Sequence, residues 1–170
     1  MNLKKFAVIP LIIGVLAVLI QIVDQLLMEH VSPEGNVGFS WIAFQAWALY
    51  FLAGCDIKGG IKSLLGYIVG IGGSILIMLL GGAISEALGF FATPLAVGII
   101  AFFIIFLERT QWLNLIPAIF IGAGAFFAFM SYVPGATFCV AATTEIIYCV
   151  IGLIFGVVTV ALRTAYEKRG

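Results

Sequence analysis

Residues 61–109, IKSLLGYIVGIGGSILIMLLGGAISEALGFFATPLAVGIIAFFIIFLER, decide the fold of this chain. They contain two long apolar runs, at about 61–84 and 90–107, which are joined by a short loop at 85–89. A membrane-spanning helix needs about 20 mostly apolar residues, so each run predicts one span. Lys62 lies at the start of the segment and Arg109 at its end, with no Lys or Arg between them. Because basic residues accumulate on the cytoplasmic side, the two helices are predicted to leave the cytoplasm and return to it.

The same pattern extends over the whole chain. Further apolar runs at about 6–28, 39–54, 113–130 and 143–162 bring the predicted spans to six. All the basic residues then fall at one membrane face, namely Lys4, Lys5, Lys58, Lys62, Arg109, Arg163, Lys168 and Arg169. The sequence therefore predicts an all-α integral membrane protein, with a single transmembrane domain over residues 1–170, six transmembrane helices and both termini in the cytoplasm.

The composition is typical of a membrane domain. Of the 170 residues, 64% are hydrophobic and 9% are charged, and the mean hydropathy is +1.25. A soluble domain carries about 25% charged residues, so too few are present here to cover a water-facing surface. The predicted partner is therefore the lipid bilayer. Nucleic acid is not a predicted partner, because the few basic residues are explained by their positions at the predicted cytoplasmic face.

The sequence contains no motif that predicts catalysis, a cofactor or a metal. HExxH and GxSxG are absent, and so is a clustered pair of buried carboxylates. Cys55, Cys139 and Cys149 have no CxxC or other ligand spacing. We therefore expect no enzyme activity, no cofactor and no metal site. A small membrane enzyme would need polar side chains to meet in space in a way that their spacing does not predict.

Glycine spacing is the strongest local pattern. Helices in lipid associate through close backbone packing, which small residues permit, and GxxxG is the usual form of this pattern. The predicted helix-packing positions are Gly66, Gly70, Gly122, Gly124, Gly152 and Gly156. The alternative is that these small residues leave room along an axis for a solute.

Two segments resemble each other and favour a parallel hairpin repeat. Residues 51–76 and 106–129 both start at Phe-Leu, continue through a charged inner turn and lead into a Gly-rich run. Gly70 and Gly72 would then correspond to Gly122 and Gly124. The alternative is chance, since glycine is common in membrane helices.

A few polar residues interrupt the apolar runs and are candidates for a solute path. They are Gln21, Asp24, Gln45, Trp47 and Glu145. A carboxylate in hydrocarbon costs roughly 3 kcal/mol or more, so it needs water or a partner. Both carboxylates are predicted a turn or two below the outer surface, where they could line one outer mouth. Alternatively they reach the headgroups, and Glu145 also suits the N-terminus of a helix starting near residue 143.

Aromatic residues could narrow such a path further in. The predicted constriction comprises Phe44, Trp47, Phe51, Phe102, Phe120 and Phe155. His30 lies beside Glu29 in the first outer loop, where a pH-sensing role is the alternative to simple exposure.

Three segments resemble a known family. The run WIAFQAWALYF at 41–51 with GGIK at 59–62, the run IPAIFIGA at 116–123 and the run GLIFG at 152–156 are similar to motifs of the YcdZ-like small bacterial inner-membrane proteins. The resemblance covers residue 39 to the last helix, and the longer first loop departs from the family. Since that family has no known function, the resemblance implies location in a bacterial inner membrane and assigns no functional residue.

These observations favour one function and leave a rival. The leading hypothesis is a channel or facilitator for a small neutral or weakly polar solute, because no predicted span has a charge near its middle. So short a bundle would form a path more easily as a homo-oligomer. The rival is a non-transporting scaffold or accessory subunit that acts through helix–helix packing, with Gly152 and Gly156 binding a partner helix.

Overall fold

The computed structural model describes residues 3–31 and 33–168, without the side chain of Lys4. Arg169, which is one of the predicted cytoplasmic residues, lies outside this range, as does the Lys4 side chain. The described residues form helices and no strands. The long helices are α1 (Val8–Leu27), α2 (Ser40–Leu52), α3 (Ile57–Ala83), α4 (Ala92–Ile105), α5 (Ile116–Tyr132) and α6 (Phe138–Glu167). Shorter helical turns are Leu3–Phe6 before α1, Ser85–Leu88 and Gly89–Phe91 before α4, and Phe106–Arg109 after it.

Four helical stretches are long and apolar enough to cross a membrane. They are Val8–Leu27, Ile57–Ala83, Ser85–Arg109 and Phe138–Glu167. α2 and α5 are also apolar, but they have 13 and 17 residues. At 1.5 Å per residue α2 is about 20 Å long, which is less than the hydrocarbon core of about 30 Å. The described residues therefore have the fold of an all-helical membrane protein with four helical stretches that are long enough to span the membrane.

Two helices begin earlier than the apolar runs predict, because polar side chains cap them. α3 begins at Ile57, where the Asp56 carboxyl accepts a hydrogen bond from the Gly59 backbone N–H at 2.6 Å. α6 begins at Phe138, because the Thr137 hydroxyl accepts one from the Val140 N–H at 3.3 Å. An N-cap side chain stabilises the first turn by supplying an acceptor that the helix lacks. Both helices therefore extend beyond the apolar runs, at about 61–84 and 143–162, that predict the spans.

The chain divides into two compact units. The first comprises Met1–Gly60 and Ile147–Gly170, and it contains α1, α2 and most of α6. The second is Ile61–Ile146, with nearly all of α3, all of α4 and α5, and the first turns of α6.

In the first unit, α2 packs directly on α6 because α6 has glycine at the contact. A Cβ at Gly152 would clash with the Ala43 carbonyl and lie 2.8 Å from the Ala46 Cβ. A Cβ at Gly156 would lie 2.6 Å from the Tyr50 Cβ. Both glycines are therefore covered by a helix of the same chain, so neither is open to a partner helix as the scaffold hypothesis required.

In the second unit, α3 and α5 pack through a comparable set of glycines. A Cβ at Gly66 would lie 2.6 Å from the Ala118 Cβ. A Cβ at Gly70 would clash with the Ile119 carbonyl, and it would also lie 3.1 Å from the carbonyl carbon of Gly122. The two backbones are therefore in direct contact, as small residues permit.

The remaining glycines of the predicted repeat face outward. A Cβ at Gly72 or Gly124 would have nothing within 4 Å. Gly124 therefore takes no part in the helix packing predicted for it, because two residues along a helix turn the chain by about 200° from Gly122. In each pair the first glycine packs and the second faces open space. This agreement favours a parallel repeat, which stays a prediction.

α4 is the least buried of the membrane-length stretches. Only 11% of the most apolar part of Ser85–Arg109 is buried. The buried residues of α4 are Ala92 and Ala96, so its small side chains pack and its large rings point outward. Phe102 is 62% exposed, and Phe120 on α5 is 55% exposed. These two residues of the predicted constriction therefore lie on the surface.

Candidate functional site

The first unit contains a buried carboxyl, Asp24, near the end of α1. Its side chain is 5% exposed. Oδ1 accepts a hydrogen bond from the Phe39 backbone N–H at 2.9 Å and another from the Tyr148 hydroxyl at 2.6 Å. Phe39 precedes α2 and Tyr148 lies on α6, so one carboxyl oxygen joins three helices. Its position before the first turn of α2 also suits the positive end of the helix dipole.

The loop between α1 and α2 is shaped by Asn36. Its Nδ2 donates to the carbonyls of Met28, Val31 and Pro33 at 2.8–2.9 Å, while its Oδ1 accepts from the Gly38 N–H at 2.8 Å. A short amide side chain that bonds to the nearby backbone is a common way to fix a turn. The loop is therefore held by one side chain.

Gly38 allows this loop to approach Asp24. Its φ of +88° is in a region that favours glycine, and a Cβ there would clash with the Asp24 carboxyl. The Phe39 N–H reaches Asp24 only because the preceding residue has no side chain. Phe39 also packs edge-on against the Tyr148 ring, with 5.8 Å between the ring centroids.

A second buried polar contact of this unit joins α2 to α6. The Trp47 indole N–H donates to the Thr159 hydroxyl at 2.9 Å, and that hydroxyl donates to the Phe155 carbonyl at 2.7 Å. The Trp47 ring also lies 5.8 Å from the Phe44 ring and 5.9 Å from the Phe155 ring. Three residues of the predicted constriction therefore meet here, as a packed cluster between helices.

The same unit has an open groove at the end where α6 finishes. Its volume is about 390 Å³, and its lining includes the apolar residues Ile9, Ile13 and Phe51. Arg163 and Glu167 line it as well, and they form an ion pair with 2.8 Å between Nε and Oε1. The groove therefore has an apolar part and a charged part, and its volume is in the usual range for small-molecule sites.

The second unit contains a buried carboxyl of a different kind. Glu145 is 0% exposed, and neither of its carboxyl oxygens has a hydrogen-bond partner among the described residues. It lies seven residues after the start of α6 at Phe138, about 10 Å along the helix. The helix-terminus explanation is therefore wrong for Glu145, because a helix terminus acts mainly on its first turn.

The structure does not gather all the predicted path residues in one place. Asp24 and Trp47 are buried in the first unit and have separate hydrogen-bond partners. Gln21 and Gln45 are exposed. The buried stripe of α1 runs through Ile9, Leu16, Ile20 and Asp24, so it passes beside Gln21.

Some residues of these sites have no signal in the sequence. Tyr148 is 124 positions from Asp24, and no spacing rule links them. Asn36 and Gly38 did carry a turn signal, but nothing indicated that the turn closes over a carboxyl. His30 is exposed, and its Nδ1 lies 3.2 Å from the Leu26 carbonyl oxygen.

The fold and these sites define a class of protein: an all-helical membrane protein with buried polar contacts between its helices. A family model described as "Protein of unknown function (DUF1097)" matches residues 8–166, from the first residue of α1 into the last turn of α6. The chain therefore belongs to the DUF1097 family. No curated protein and no solved structure matches it.

Proposed function

We propose that this DUF1097 protein is a channel or facilitator for a small neutral or weakly polar solute across the bacterial inner membrane. In this proposal it is YcdZ-like, has no enzyme activity and needs no cofactor. It crosses the membrane six times, and both termini lie in the cytoplasm. α2 and α5 count as spans although they are short, since local thinning of the bilayer accommodates short helices.

Two hydrogen bonds support this topology. The Tyr166 hydroxyl donates to the Lys5 carbonyl at 2.8 Å, so these two residues lie at the same end of the first unit. An even number of spans requires the segments before the first span and after the last to be at the same membrane face. Lys62 Nζ donates to Asn114 Oδ1 at 2.8 Å, which places the starts of α3 and α5 at one end of the second unit. Spans three and five must start on the same side of the membrane if every helix crosses it.

Glu145 is the observation that carries the solute hypothesis. Buried polar groups in proteins are nearly always hydrogen-bonded, and an exception needs an explanation. Among the described residues, its two oxygens are the only buried side-chain N or O atoms without a partner. An intramembrane carboxyl is a functional candidate by default. A solute that donates hydrogen bonds through a hydroxyl or amide group would supply the missing partners.

Flux into proteoliposomes tests this role of Glu145. We expect E145Q to alter the entry of small polyols and amides, because one acceptor becomes a donor, and E145L to abolish it. E86Q is the matched control, since Glu86 is an exposed carboxyl in the same unit. Solute entry that is unchanged in both Glu145 variants, with the protein still folded, would remove the assignment.

We also propose that the protein acts as a homo-oligomer. The support is the exposed apolar surface of the Ser85–Arg109 stretch, which a second copy could cover. The mass of the complex in mild detergent tests this. A monomer at all protein concentrations would contradict it.

The alternative is a non-transporting scaffold or accessory subunit. Its support is the same surface of α4, where Gly98 faces open space and could receive a partner helix. This alternative predicts that another protein co-purifies after mild extraction and is lost in a Gly98→Leu variant. It also predicts no solute flux.

A further inference from the structure

The groove beside α6 has a regular internal arrangement. Thr159, Arg163 and Glu167 line it at intervals of four residues, so they lie on one face of α6 about 6 Å apart along the axis. Ile9 and Ile13 on α1 have the same spacing and form part of the facing wall. The groove therefore runs along the helices and becomes more polar toward the end of α6.

Ile9, Ile13 and Phe51 give the groove an apolar surface, to which Thr159 adds one hydroxyl group. Ile9 and Thr159 are buried, and the Thr159 hydroxyl is already hydrogen-bonded to Trp47 and to a backbone carbonyl. Ile13 and Phe51 are each 41% exposed. An occupant of this surface must be apolar, because a polar one would lose its water without gaining a partner.

The part of the groove near the end of α6 carries one positive and one negative charge, on Arg163 and Glu167. Arg163 Nε donates to Glu167 Oε1, which leaves the two terminal nitrogens of the guanidinium for another acceptor. The pair has no net charge, so a purely anionic ligand would be repelled by Glu167 as it is attracted by Arg163. A ligand that carries both charges, separated by a short linker, matches the pair better.

We propose that this groove binds one zwitterionic phospholipid of the ethanolamine type. The phosphate contacts Arg163 and the ammonium group contacts Glu167. One acyl chain lies against Ile9, Ile13 and Phe51. Arginine is well suited to phosphate because its planar donors match the phosphate oxygens. The proposal needs only a membrane-embedded first unit and is independent of any solute flux.

Native mass spectrometry of the detergent-purified protein tests the proposal. The protein is titrated with phosphatidylethanolamine or with phosphatidylglycerol of identical acyl chains. We expect the ethanolamine lipid to bind more tightly by about threefold, as for a half-exposed ion pair. E167Q should remove this preference. R163Q should weaken the binding of the ethanolamine lipid by about tenfold. I13W should prevent both lipids from binding, because the larger side chain fills the groove.

The control is K168Q, which removes a positive charge at the same end of α6 from a residue that does not line the groove. It should bind both lipids as the unmodified protein does. Equal losses in K168Q and R163Q would overturn the proposal in favour of general charge attraction. Equal binding of the two lipids by the unmodified protein would also overturn it. If glycerophosphoethanolamine, which has no acyl chains, displaced the lipid fully, the proposed acyl-chain contact would be wrong. A lipid-free dimer that I13W disrupts would also overturn the proposal, because a second copy would then occupy the groove.

Discussion

Replacing Tyr148 with Phe isolates the contribution of one buried hydrogen bond. The hydroxyl donates to Asp24 Oδ1 at 2.6 Å, and both side chains are buried. A hydrogen bond to a charged group contributes about 1.5–3 kcal/mol in soluble proteins. Interhelical hydrogen bonds in membranes average about 0.6 kcal/mol and reach about 1.7. Because this bond is short and its acceptor is a carboxyl, we expect Y148F to lower the free energy of unfolding by about 1.5 kcal/mol.

The assay is reversible unfolding by SDS of protein in mild-detergent micelles, followed by circular dichroism. Phe preserves the ring that packs on Phe39, so the loss reports the hydroxyl alone. Y132F is the matched control, because Tyr132 is 84% exposed, and its stability should not change. In a D24A background Y148F should cost little, since the acceptor is gone. A loss below about 0.3 kcal/mol, or an equal loss in both backgrounds, would refute the reasoning.

Three further predictions use the same unfolding assay. G152L should lower the free energy of unfolding by more than about 2 kcal/mol, because its side chain would meet the backbone of α2. G124L should be tolerated, because position 124 faces open space. Similar losses in both variants would count against the packing of α2 on α6. W47F should lower the free energy of unfolding by about 1 kcal/mol, because it removes the hydrogen bond to Thr159. An unchanged free energy of unfolding would mean that this bond contributes nothing. G38A should lose about 1–3 kcal/mol from its positive φ and its clash with the Asp24 carboxyl, and an unchanged stability would contradict that geometry.

The helices were predictable because apolar length is a property of the sequence alone. Each predicted span contains a helix, including the two short ones. The helices α3 and α6 begin before the apolar runs because capping residues precede those runs. Asp56 and Thr137 are both favoured N-cap residues, so the signal was present. The start of α6 matters most, because a helix starting near residue 143 would have Glu145 in its first turn, whereas α6 starts at Phe138.

The sites were less predictable because they depend on which face of each helix is covered. Gln21 and Asp24 are three residues apart, yet one is exposed and the other is buried. Gly122 packs while Gly124 does not, although both fit a small-residue pattern. The spacing of residues within a helix shows which of them share a face, but it does not show which face another helix covers. The partners of Asp24 come from distant segments, so no local pattern could name them.

The six-span topology, with both termini in the cytoplasm, underlies the proposed function, and the native cysteines test it directly. Cys55 and Cys139 are free and exposed, while Cys149 is buried. Cys55 lies in the turn before α3, and Cys139 lies in the first turn of α6. The measurement is labelling of C139S and C55S variants with a membrane-impermeant maleimide in sealed right-side-out vesicles. The topology predicts immediate labelling of Cys139, and labelling of Cys55 only after the vesicles are opened. Labelling of both cysteines from outside, or of Cys55 alone, would contradict it.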